Sequence, residues 1–269
     1  IKSKYIKNDE LEDFRKKIEL RKSLQSKLSD LKSSAAFVER PSINDAKFNL
    51  WVIFGNDLKD FSAQTNVFQK RNCYKQIQKY LYSETLDKVC LVYGLRRTGK
   101  TTMIRQCLQD MNDTDFNRSV YIKATVNDTM ASMNKDLKQL RELGIKFVFI
   151  DEVTLISDFI DSAAILSDIY SAMGMKIVLS GTDSLGFWLA IHEELYDRAV
   201  MVHTTYISFA EHSRLLGIND IDEYVRYGGT LKAGIWDFDN KEVNADDASF
   251  KDNESTRIYI DTAICSNIQ

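Results

Sequence analysis

Lys88-Val89-Cys90-Leu91-Val92-Tyr93-Gly94-Leu95-Arg96-Arg97-Thr98-Gly99-Lys100-Thr101 is the stretch that decides how this chain folds. Its last eight residues satisfy the pattern G-x-x-x-x-G-K-[ST] at every fixed position. Lys88 to Tyr93 is an apolar run that reads as a buried strand. Beyond Thr101 the apolar residues Met103, Ile104, Cys107, Leu108 and Met111 recur at helical spacing. Strand, glycine turn, helix is the setting in which such a turn cradles phosphate. The glycines let the backbone curl until successive N–H groups point inward beside a helix N-terminus. Lys100 then neutralises phosphate charge, and the Thr101 hydroxyl is placed to ligate Mg²⁺. The expected nucleotide-binding set is Gly94, Leu95, Arg96, Arg97, Thr98, Gly99, Lys100, Thr101 and Thr102. The plainer alternative is a glycine turn that only caps a helix, and the strand before it weighs against that.

The second half of the expected site is Lys146 to Val153, KFVFIDEV. Four apolar residues close on two carboxylates, as a buried central strand does at the end where parallel sheets place ligands. Asp151 is expected to hold Mg²⁺ beside Thr101, and Glu152 to polarise the water that attacks a γ-phosphate. A third apolar run, Lys176 to Ser180 (KIVLS), leads into Gly181-Thr182-Asp183-Ser184. Ser180 and Thr182 are candidates for a polar group that senses the γ-phosphate. An ordinary turn after a strand is the competing reading there.

Taken together, GLRRTGKTT, FVFIDEV, VLSGTDS, then Arg198, YISFAEH and YGG resemble a group of prokaryotic AAA-like ATPases. That group is related to archaeal-type and STAND ATPases and often carries a C-terminal DUF4143 region. The resemblance runs from about Phe68 to the end of the chain. It implies binding and hydrolysis of ATP with Mg²⁺ in a cytoplasmic multidomain protein. It also implies a catalytic arginine, Arg198, acting in cis or from a neighbouring subunit, with Lys100 and Glu152 as the other catalytic residues. As partners it leaves open a homo-oligomer, another protein, or nucleic acid engaged through a region beyond Gln269. Proteins of this group usually continue past that point, so the C-terminal domain is expected to be truncated.

The fold class expected is α/β: a doubly wound parallel-sheet P-loop NTPase core, an N-terminal helical arm and an incomplete helical C-terminal domain. The arm is assigned to residues 1–45, the ATPase domain to 46–205 and the C-terminal part, lid or winged-helix-like, to 206–269. Strands are expected at Val120 to Ala124 and Ala199 to Val202, with helices at Met130 to Leu143 and Asp158 to Met173. Alternation of this kind implies parallel βαβ units. The strand order should be that of ATPases with an extra strand between the P-loop and Asp-Glu strands. In the arm, Leu11, Phe14 and Ile18 line one helical face and Leu20, Leu24, Leu28 and Leu31 another, so no single coiled-coil seam persists. Residues 1–32 carry ten Lys/Arg against six Asp/Glu, a basic excess that reads as a solvated face. Pro41 marks the end of the arm, and Asn240 to Ser255 is expected to be a mobile loop.

Composition excludes several classes. With 269 residues, 44% hydrophobic and 28% charged, the chain can bury a large core, and its net charge of −3 selects no polyanionic partner. No apolar run approaches the ~20 residues needed to span a bilayer, and the N-terminus lacks a signal-peptide core, so no membrane partner is expected. Cys73, Cys90, Cys107 and Cys265, and His192, His203 and His212, show no metal-ligand spacing. Cys90 and Cys107 read as small buried hydrophobes. A GTPase would need Asn-Lys-x-Asp after the central strand; Asn134-Lys135-Asp136-Leu137 precedes it, with the aspartate one place early. A switch or scaffold that binds ATP without appreciable turnover is the remaining competitor.

Overall fold

A computed structural model describes residues 43–65, 67–182, 195, 197–204, 207–226 and 231. Residues 1–42 of the arm expected at 1–45, the segment 240–255 expected to be a loop, Cys265, His192 and Tyr227-Gly228-Gly229 lie outside the described residues.

The chain runs β1 (Trp51–Ile53), α1 (Gly55–Ala63), α2 (Tyr74–Leu81), β2 (Val89–Tyr93), α3 (Lys100–Gln109), α4 (Asp113–Phe116), β3 (Ser119–Lys123) and α5 (Met130–Glu142). It continues through β4 (Phe147–Asp151), α6 (Phe159–Ser162), β5 (Lys176–Gly181), β6 (Ala199–His203), α7 (Phe209–Leu216) and α8 (Ile221–Arg226). The strands form one six-stranded sheet in the order β1-β3-β4-β5-β2-β6. All neighbours are parallel except β1, which runs antiparallel along β3. The order meets expectation: β5 lies between the P-loop strand β2 and the Asp-Glu strand β4.

Alternation along the strands builds two apolar layers. Val89, Leu91, Val120, Ile122, Val148, Ile150, Ile177 and Leu179 point to one face, where Met130, Met133, Leu137 and Leu140 of α5 cover them. Cys90, Val92, Tyr121, Phe147, Phe149, Val178 and Val202 point to the other, against Ile77 and Tyr80 of α2 and Met103, Ile104, Cys107 and Leu108 of α3. The central strands are buried on both sides, which is why their sequences are continuous apolar runs. Cys90 and Cys107 are buried thiols in this layer, as expected.

Two departures from the sequence reading are physical. The helix expected over 158–173 is broken: α6 ends at Ser162 and a π-helical turn follows at Leu166–Ser171. Its wider bonding, with Ala172 N–H donating to Ser167 O, turns Leu166 and Tyr170 to the core while Ser167 Oγ reaches the Asp87 carbonyl. The elements β1, α1 and α2 were not foreseen; β1 is three residues long, too short to show a period. Its approach is held by Asp136, the aspartate of Asn134-Lys135-Asp136-Leu137. That buried carboxylate accepts the Asn49 and Leu50 backbone N–H groups at 2.8 Å. Asp136 therefore has a structural duty on α5.

Candidate functional site

Three strand ends and one loop make the site. The loop leaves β2 at Gly94 and enters α3 through Gly99, the helix N-cap, in a left-handed conformation (φ +84°). Arg97 is left-handed too (φ +63°). Alternation of right- and left-handed residues is how a backbone forms an anion-binding nest. At Gly99 the left-handed backbone favours glycine, and a Cβ would sit 2.9 Å from Leu231 Cδ1, so that side chain would have to shift. Lys100 is mostly buried, and its Nζ donates to the Gly94 and Leu95 carbonyls at 2.8 and 2.7 Å. Desolvation outweighs the attraction of Glu152 and Asp151 and brings its ammonium down to about 8. A cation held only by loop carbonyls is matched to an incoming anion. Arg96 and Arg97 of the same loop are exposed, and Arg96 adds positive potential next to Lys100.

Asp151 closes β4 at 1% exposure and carries most of the site's hydrogen bonds. Thr101 Oγ1 and Tyr121 OH donate to its Oδ2, each at 2.8 Å. Ser180 Oγ and the Glu152 backbone N–H donate to its Oδ1. The Lys123 ammonium stands 3.7 Å away. Burial alone would raise this carboxyl's pKa; the bond from Ser180, the charge of Lys123 and the Thr101 and Tyr121 hydroxyls overcome it, and the net shift is downward. The same burial and carboxylate keep the Tyr121 phenol protonated well beyond its ordinary range. Glu152 follows in a left-handed conformation (φ +57°), which turns it out of the strand, and Thr182 Oγ1 donates to its Oε2 at 3.2 Å. Among non-glycine residues such backbone geometry is uncommon and gathers at functional sites.

Expected residues thus converge with some changes of place. Gly94 to Thr102, Asp151, Glu152, Ser180 and Thr182 share the carboxyl edge of the sheet. Ser180 is fully buried and donates to Asp151, whereas Thr182 donates to Glu152. Arg198 is not brought to this edge. It precedes β6, where its carbonyl accepts the Val89 N–H at the start of β2, while the loop leaves the far end of that strand. A strand's length, roughly 13–16 Å, separates the two. Its guanidinium donates to Asp168 Oδ1 at 2.7 Å. Tyr121, Lys123, Arg71 and Glu211 were missed. The first two lay in a recognised strand whose polar end faces Asp151, and that was the available signal.

The oxygen set suits a hard divalent cation: a hydroxyl and a carboxylate oxygen 2.8 Å apart at the mouth of an anion-binding loop. Among the described residues no cluster of His, Cys, Asp and Glu offers any other metal site.

Residues 86–213 match the family model of an AAA domain. No curated protein sequence matches the chain significantly. Among solved structures, the S. cerevisiae Hsp104:casein complex in its extended conformation is 16% identical with a TM-score of 0.46, over 66% of this chain and 34% of that one. C. elegans PCH-2 is 18% identical with a TM-score of 0.32, over 64% of this chain and 46% of that one. The matched region thus spans between a third and a half of those chains. The AAA-domain match, the phosphate loop and the strand order support an AAA-like P-loop ATPase module whose elementary property is nucleotide binding. No helix among the described residues is long and apolar enough to cross a membrane.

Proposed function

We propose that this chain binds ATP and hydrolyses it with Mg²⁺, coupling nucleotide state to rearrangement of a domain or partner within a cytoplasmic multidomain protein. The observation that carries the reading is the Thr101–Asp151 contact at 2.8 Å, with Glu152 next in sequence and restrained by Thr182. Thr101 and Asp151 would hold Mg²⁺, which when bound offsets the charge that develops on the phosphate oxygens. Lys100 would exchange the loop carbonyls for the β- and γ-phosphates. Glu152 would orient the attacking water and accept its proton, and Thr182 would release or hold that carboxylate as the γ-phosphate comes and goes. The finer kinship, to archaeal-type and STAND ATPases with a DUF4143 region, rests on the motifs quoted above. The test is phosphate release from Mg-ATP by the parent and by Glu152→Gln. The expected outcome is retained binding with turnover lower by ~10²-fold or more. Equal turnover would leave Glu152 as a strand-end charge.

A second reading keeps the site and drops the turnover: a nucleotide-dependent switch or scaffold. The position of Arg198 favours it for an isolated subunit, because that arginine can reach a phosphate only from another copy or after a partner has brought one.

A further inference from the structure

The loop before α2 and the start of α7 meet behind the phosphate loop. Arg71 is 5% exposed and Glu211 6% exposed, and they form an ion pair, Nε to Oε1 at 2.9 Å and Nη2 to Oε2 at 3.4 Å. Arg71 Nη1 also donates to the Thr98 carbonyl at 2.7 Å and to the Thr204 carbonyl at 2.9 Å. Glu211 accepts the Asn72 N–H at 2.7 Å, and the α7 arginine, Arg214, donates to Gln69, the Lys70 carbonyl and Asn72. The Thr98 hydroxyl shares a 2.7 Å bond with Thr204 Oγ1. One carbonyl earlier, Arg97 O accepts the Leu231 N–H at 2.8 Å.

These contacts act on the peptide that matters for phosphate. In a trans peptide the C=O and N–H point in opposite directions. Arg71 therefore fixes the Thr98 carbonyl on its own side and turns the Gly99 N–H to the opposite one. The Leu231 side chain and the Arg71 methylenes close the near side at Gly99, which leaves the far side for the anion. A charged donor on the carbonyl also polarises the peptide and strengthens its N–H as a donor. Glu211 neutralises Arg71 and holds the guanidinium in that orientation.

We infer that Arg71 is a positioning residue for the nucleotide's phosphates, and that Glu211 makes this positioning depend on the docking of α7. The inference rests on the phosphate-loop reading above. On this account α7 is the handle by which whatever the C-terminal part engages loosens or tightens ATP binding: undocking α7 frees Arg71, and the Gly99 N–H loses its fixed direction.

The test is calorimetric titration of ATP into the parent, Arg71→Met, Arg71→Lys, Glu211→Gln and Lys100→Ala, each first checked for a cooperative thermal transition. Arg71→Met should weaken ATP binding at least ~10-fold, Glu211→Gln by an intermediate factor, and Arg71→Lys should recover part of the loss because it keeps charge and one donor. In steady state the loss should fall on KM with kcat retained, since ground state and transition state lose the same contact. A folded Arg71→Met with parental affinity, alongside a Lys100→Ala that no longer binds, would overturn this inference alone; a Lys100→Ala that binds normally would overturn the phosphate-loop reading beneath it. Removing one partner of a buried pair is strongly destabilising, so hydrogen exchange on the unaltered chain is the second arm. ATP should slow exchange in Phe209–Leu216 as well as in Gly94–Thr101. Protection of the loop with unchanged exchange in α7 would contradict the coupling.

Discussion

The two edges of the sheet carry acidic residues in opposite circumstances. At the carboxyl edge Asp151 is 1% exposed and accepts four hydrogen bonds from four different segments. At the amino edge Asp197, 84% exposed, pairs with Lys88, and Asp168 pairs with Arg198, both in water. Both Asp151 and Asp197 have depressed pKa values, yet for different reasons. Asp197 is lowered by the Lys88 bond and then its charge, against a lesser desolvation, whereas for Asp151 desolvation is the largest cause and must be overcome. The first arrangement is a preorganised donor shell around a charge that water cannot reach. The second is solvent-screened pairing that contributes little. The proposed chemistry uses the first edge.

The largest expected effect would break that division. If another copy presents Arg198 to the phosphates, specific ATPase activity should rise with protein concentration, and Arg198→Ala should stay low by ~10³-fold or more at all concentrations, in the range of supplied arginines. Concentration-independent turnover with full activity in the variant would confine Arg198 to its bond with Asp168.

Ser180→Ala sharpens the comparison by a smaller amount. It removes one donor from a buried carboxylate, and about 1–3 kcal/mol of stability should be lost at neutral pH. A depressed carboxyl pKa stabilises the fold above the unfolded value near 3.9, and that contribution is lost as pH falls through the lower folded value. The deficit of Ser180→Ala should therefore narrow below about pH 4. Asp197→Asn, at the exposed edge and suited to the left-handed backbone there (φ +56°), should leave the unfolding free energy unchanged. Denaturant titrations across pH check both, and equal losses at the two edges would erase the distinction.

A smaller effect still concerns one proton. Burial brings Lys100 down to about 8, and a bound polyphosphate should restore its charge. ATP binding near pH 8 should take up a fraction of a proton, seen as a buffer-dependent binding enthalpy. Proton release there, or no linkage, would contradict the placement of Lys100.

Much of this was legible in the sequence for a simple reason. β2, β4 and β5 are buried on both faces, so each is an unbroken apolar run ending in functional residues, and the loop between β2 and α3 has fixed spacing. The order of the strands was expected from the likeness to ATPases, since the runs themselves carry no order. What stayed hidden depends on contacts across long stretches of chain. Arg71 and Glu211 are far apart in sequence, and nothing local distinguishes a buried arginine from a surface one. Tyr121 shows the same limit more mildly: its strand was recognised, but only the register against β4 puts the phenol on Asp151. The break between α6 and the π-helical turn depends on where Ser167 finds an acceptor, and no periodicity encodes that.

On the proposed function, Asp151 and Thr101 act as one metal-holding pair at the phosphate loop. The most direct measurement is ATP affinity with and without Mg²⁺, in the parent chain and in Asp151→Asn, which keeps the size of the side chain and one accepting oxygen but not its charge. The expected result is tighter ATP binding with Mg²⁺ in the parent and loss of most of that enhancement in the variant, with metal-free affinity retained. An unchanged Mg²⁺ enhancement in Asp151→Asn would contradict it.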